Sequence, residues 1–206
     1  MNTTMKHLLA LATFAAISHL APAQGLTDHL EDWRLKFHGD KAESTFSELR
    51  FDTTDKVAGT GCLAYDVKGR PGPDLWAALI CDKLPEPVDL TSQQAVAFSY
   101  KINVRELTDL NGQPRNTLNL WIYLGNPKRE STIIFVETYT ADDEWHEVVV
   151  PVENFIVDVN DSGVSEDWDR TDVTSLSISQ ILQGLEILDI TVKIADLRFI
   201  PVASAP

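Results

Sequence analysis

From Thr117 to Leu124 the chain reads Thr-Leu-Asn-Leu-Trp-Ile-Tyr-Leu, an unbroken alternation of aliphatic with polar or aromatic residues. Successive side chains leave opposite faces of an extended strand, so Leu118, Leu120, Ile122 and Leu124 share one face and Asn119, Trp121 and Tyr123 the other. Similar short runs, rich in β-branched and aromatic residues and bounded by Gly, Pro, Asn and Asp, recur along the chain. They predict strands at Ser47–Phe51, Gly61–Val67, Trp76–Lys83, Ala95–Val104, Thr132–Thr138, Trp145–Val152, Ser175–Ile178 and Thr191–Ile200 as well. Helical periodicity is confined to weak signals around Thr27–Trp33 and Ser179–Gly184. The expected class is all-β, a two-sheet antiparallel sandwich.

The first residues interrupt this pattern. Lys6, the apolar run Leu8–Ile17 and the small-x-small triplet Ala21-Pro22-Ala23 have the three parts of an export signal, so residues 1–23 are expected to be removed and 24–206 to form one domain, secreted or periplasmic. No stretch approaches the roughly 18 apolar residues of a membrane-spanning helix. The whole chain carries a formal charge of −14, and losing Lys6 with the signal takes it to −15. That balance argues against nucleic acid or an anionic membrane as partner and leaves neutral ligands, cations or basic surfaces.

Four segments carry a family resemblance. Trp145-His146-Glu147-Val148-Val149-Val150-Pro151-Val152-Glu153-Asn154-Phe155 has the form W-x-x-V-x-V-P-V-x-N-F; Gly59-Thr60-Gly61-Cys62-Leu63-Ala64-Tyr65 precedes it, as does Asp89-Leu90-Thr91 with Ala95–Lys101; and Ile194-Ala195-Asp196-Leu197-Arg198-Phe199 follows it. Their order and form resemble jelly-roll carbohydrate-binding modules and their galactose-binding-like relatives, over nearly all of the chain after residue 23. The resemblance implies a jelly roll that binds a polysaccharide or glycan without catalysis, and a structural calcium near Asp196, with Glu31 or Asp32 as further ligands. One acidic position of the resembling motif is Ala195 here.

On this reading Val148, Val150, Val152, Val96, Phe98, Tyr100 and Ile102 face the core with the leucines of 117–124. Asn119, Trp121 and Tyr123 then lie beside Ala97, Ser99 and Lys101. The parity of Thr132–Tyr139 stays open: with Ile134 and Val136 inward, Phe135, Glu137 and Tyr139 join the outer face. Trp121 and Tyr123 would stack on sugar rings while Asn119, Lys101, Glu137 and Tyr139 hydrogen-bond hydroxyls. The rival reading is that a loop such as Asp158–Asp172, with Trp168, covers the same residues as a second small core.

Other chemistry is thinner. Asp158-Val159-Asn160-Asp161-Ser162-Gly163 spaces oxygen ligands as calcium loops do, with Asp169 at the twelfth position, although it also reads as a solvated acidic loop. His29, His38 and His146 lack metal-ligand spacing. Carboxylates such as Glu137 with Glu147 or Glu153 keep a polysaccharide lyase or glycoside hydrolase open as an alternative, and a cell-envelope interaction protein is a third. Treating Lys68–Asp74 as a hairpin loop pairs Val67 with Trp76, places Trp76, Ala78 and Ile80 on a core face, and sets Cys62 opposite Cys81 as a disulfide or two buried thiols.

Overall fold

The computed structural model of the protein describes residues 25–38, 44–57, 61–70, 76–126, 129–157 and 169–202. Twelve strands occupy most of these residues: β1 (Arg34–His38), β2 (Ser44–Phe46), β3 (Arg50–Asp52), β4 (Cys62–Gly69), β5 (Trp76–Cys81), β6 (Gln93–Asp109), β7 (Thr117–Asn126), β8 (Arg129–Thr140), β9 (His146–Pro151), β10 (Ile156–Val157), β11 (Ser175–Ile181) and β12 (Leu185–Pro201). One sheet, called A here, runs β1-β5-β11-β7-β8-β10; the other, B, runs β2-β4-β12-β6-β9, with β3 also paired to β4. Every pairing is antiparallel.

The sheets meet through their apolar faces. Sheet A contributes the cross-strand rows Leu35–Leu79–Ile178–Ile122 and Cys81–Leu176–Leu124. Sheet B answers with Tyr65–Val192–Ile102 and Leu63–Ile194–Tyr100, and Phe98 and Val96 lie further along β6. Nearly all of these side chains are buried, and they join one hydrophobic cluster. Burial of apolar surface on this scale, at roughly 25 cal/mol per Å², is what holds two otherwise independent sheets together.

The expected all-β sandwich is therefore present, and the inward residues of β6 and β7 are those read from the alternation. Several finer expectations are corrected. Strands β1, β2 and β10 lie outside the predicted set, and Ser47–Phe51 resolves into an irregular segment leading into β3. The region Thr27–Trp33 forms two short 3-10 turns, pinned where Trp33 Nε1 donates to the Leu26 carbonyl at 2.8 Å. Ser179–Ile181 completes β11 rather than starting a helix.

The largest correction concerns β4 and β5, which do not form a hairpin: β4 pairs with β12 in sheet B, and β5 with β1 and β11 in sheet A. Cys62 and Cys81 are free, buried thiols on different sheets. Cys81 belongs to the core between the sheets, whereas Cys62 alternates with core-facing Leu63 and so points from the opposite, outer face of sheet B. The same shift reverses the parity of β5, so that Ala77, Leu79 and Cys81 face inward and Trp76, Ala78 and Ile80 outward. Residues 1–24, which hold the expected export signal, and 158–168, including Asp158 and Asn160, lie outside the described residues.

Gly61 enters β4 with no room for a side chain: a Cβ there would sit 2.5 Å from the Asp52 carbonyl oxygen and 2.8 Å from the Phe51 ring. Gly61→Ala is expected to destabilise the fold by about 1–3 kcal/mol, read as a lowered thermal midpoint. Burial pushes both thiols up to about 11. A thiol reagent at neutral pH should therefore titrate both cysteines in denaturant and react only slowly with the native protein.

Candidate binding face

Each sheet also has an outward face, and the two differ in kind. On sheet B, Arg50 pairs with Asp66 at 2.9 Å, Thr191 donates to the same carboxylate, and Asp189 holds Lys68 and Arg105. Beside them Lys193, only 8% exposed, reaches Asp52 and Asp55 at 2.8 Å each. Asp55 further binds Lys101 at 3.1 Å and accepts from Trp145 Nε1 at 3.0 Å. Hydrogen bonding from Lys193 holds the Asp55 carboxyl down at about 2, against the opposing cost of burial, and the Asp52 carboxyl lower still. This face is a saturated ion-pair network that ties the turn after β3 onto the sheet.

Sheet A is different. Its register aligns outward residues in rows that run across the strands: Lys36–Ala78–Ser179–Trp121–Val136, then Arg34–Ile80–Ser177–Tyr123, then Trp76–Ile181–Asn119–Thr138. Trp121 and Tyr123 are partly exposed, with ring centroids 6.1 Å apart and planes tilted by 46°. Asn119 is exposed, and its amide oxygen accepts from the Thr138 hydroxyl at 2.9 Å. Between these rings and Trp76 lie the short side chains of Ala78 and Ser179, both buried, with the half-buried Ile181 beside them. Two strand spacings, roughly 10 Å, separate the backbones of β7 and β5, so large rings stand over a low floor.

Of the residues singled out in the sequence, Asn119, Trp121 and Tyr123 stand together on this face as expected. Lys101 does not, because its strand β6 belongs to sheet B, where its ammonium is committed to Asp55. The open parity of β8 resolves against Glu137 and Tyr139: Val136 and Thr138 pair with Trp121 and Asn119, and the Tyr139 ring enters the core 5.0 Å from the ring of Tyr100. Glu137 is exposed but lies on that same parity, and its charge acts on the Tyr139 and Tyr100 hydroxyls. Trp76, Lys36 and Ser179 went unrecognised in the sequence. The alternation Arg34-Leu35-Lys36-Phe37 was a usable signal for β1, but assigning β5 to the wrong neighbour hid Trp76.

Asp196, with φ of 51°, occupies a bulge in β12 and accepts from Arg198, whose guanidinium also binds Glu147 at 2.7 Å. A cation at Asp196 would have to compete with that guanidinium, so the carboxylate is a poor match for a calcium ligand as it stands. Among the described residues, no group of three or more His, Cys, Asp or Glu side chains is arranged to hold a metal ion.

The assembled sandwich is similar to solved structures. A family 11 carbohydrate-binding module of a cellulosomal cellulase from Clostridium thermocellum superimposes with a TM-score of 0.56 at 13% identity, covering 88% of this chain and 94% of that one. The fold is that of carbohydrate-binding modules. A family 11 module from the same organism, in complex with a β-1,3-1,4-mixed-linked tetrasaccharide, gives 0.54 at 12% identity over 86% and 94% of the two chains. A family 30 module gives 0.50 at 17% identity over 82% and 85%. No family model matches the sequence, and no curated protein is significantly similar to it.

The network on sheet B sets a pH dependence. Since the folded-state values of Asp52 and Asp55 lie below that of an unfolded Asp, their contribution is complete above about pH 4. It is lost as the pH falls toward 2. Thermal midpoints should fall over that window, and Asp55→Asn should cost about 1–3 kcal/mol at neutral pH while showing a shallower decline in acid.

Proposed function

We propose that the chain is an exported, non-catalytic binding protein that takes a polysaccharide or glycan across the outer face of sheet A. The observation that carries this reading is the pair of tilted, partly exposed rings, Trp121 and Tyr123, above a floor of small hydroxyl and methyl side chains. Pyranose rings present apolar C–H faces to such rings and hydroxyls to neighbours of the kind supplied by Asn119, Ser177 and Thr138. The likeness to carbohydrate-binding modules supports the reading at the level of fold, and the pattern of residues 1–23 supports export.

A binding role without turnover is favoured by the carboxylates. Glycosidic acid catalysis needs a carboxyl whose pKa is raised. Asp82, at the edge of the platform, is instead held below the usual range by the hydrogen bond from Arg34. Glu147 is paired with Arg198 on the other sheet.

A glycan array on the protein from residue 24 onward, run with calcium and with chelator, tests the reading and the metal together. Binding to at least one polysaccharide is expected, and failure on every sugar in both conditions would overturn it. Trp121→Ala should weaken the best ligand about ten- to a hundredfold with little change in thermal midpoint, whereas Glu137→Gln should leave affinity unchanged.

A further inference from the structure

The charge on the platform is at odds with the charge on the protein. The chain carries 31 acidic residues against 17 basic ones, yet among the described residues of the three outward rows of sheet A there is no carboxylate. Asp82 borders them one step beyond Ile80 and is neutralised by Arg34, which donates from Nε and, at 2.8 Å, from a terminal nitrogen. What remains at that edge is the ammonium of Lys36. It is exposed and lies 5.6 Å from the centroid of the Trp76 ring, and its charge joins that of Arg34 in holding the Asp82 carboxyl below its usual range, so that two cations face one described carboxylate there.

Resting on the reading of this face as a glycan site, we infer that its ligand is an acidic polysaccharide, one that carries carboxylates or sulfate esters along its chain. Such a ligand is repelled over most of this protein by its net negative charge. The carboxylate-free rows remove that repulsion locally, and the excess of cation at the Lys36 edge adds attraction. The geometry also separates acidic from neutral sugars at Trp76. A neutral ring that stacks there displaces the Lys36 ammonium from the aromatic face and gives nothing back to the charge. An acidic ring instead draws the same ammonium onto its anion. Trp121 and Tyr123 then hold neighbouring sugar units two strands away, so the polymer runs across the strands with its anionic groups toward β1.

The test pairs polymers of one backbone with and without charge: polygalacturonate against its full methyl ester, and a sulfated galactan against its desulfated form, titrated calorimetrically at low and at raised salt. Wild type should prefer at least one acidic member of the pairs, with the preference shrinking in salt. Lys36→Gln should reduce that preference about three- to fivefold without altering affinity for the uncharged polymer, and Trp121→Ala should weaken both. The carboxylate and sulfate arms report which anion is read. Equal or tighter binding of the uncharged polymers, or an unchanged preference in Lys36→Gln, would overturn the charge assignment while leaving glycan binding intact. Failure of folded wild type to bind any of the four polymers or any glycan on the array would overturn both.

Discussion

Everything on the two outer surfaces depends on how the inner ones are used. Leu118, Leu120, Ile122 and Leu124 of β7, Leu79 of β5, and Leu176 and Ile178 of β11 are committed to the core with the aliphatic and aromatic residues of β4, β6 and β12. In an extended strand that commitment leaves no freedom: each neighbour of a buried residue must face away. Trp121 and Tyr123 are outward because Leu120, Ile122 and Leu124 are inward. A one-residue slip of β7 would bury both rings and expose four aliphatic side chains, a loss far larger than the gain from any single contact. The geometry of the platform is thus maintained by the core, at a distance from any ligand.

The same argument explains what could be read in advance. Alternation is a property of one strand, and within β6 and β7 it identified the inward and outward residues. Adjacency is a property of the whole fold. Pairing β4 with β5 looked reasonable because the segment between them contains Gly and Pro, but the connection carries the chain from sheet B to sheet A; Leu63, Tyr65 and Val67 still face the core, while Trp76, Ala78, Ile80 and the Cys62–Cys81 pairing moved. Lys101 failed for a related cause, since β6 and β7 are successive in sequence and lie in different sheets. In β8 both parities put apolar residues inward, and Tyr139 settled the choice by packing against Tyr100. Trp76 and Lys36 become neighbours only when β1 joins the far edge of sheet A, which no local signal announces.

The outer faces also show two ways of treating polar groups on a sheet. Sheet B places opposite charges side by side, so that Lys193, held between Asp52 and Asp55, tolerates near-complete burial. Among the described residues, sheet A keeps its outward polar groups mostly small and uncharged and carries its cations at the β1 edge. Such a surface loses little when water is displaced from it, because few ions have to be stripped of their hydration. Sheet B therefore serves integrity, and sheet A is suited to contact.

The placement of β12 sets the order in which the molecule can assemble. This last described strand fills the centre of sheet B, with β4 on one side and β6 on the other. Until it arrives, β4 and β6 each carry an open hydrogen-bonding edge and half of the core lacks its lid. A chain cut or stalled before residue 185 would be an incomplete sandwich with exposed edges prone to pairing with other molecules. Folding of this protein is thus a late, collective event, closed by the segment made last among those described.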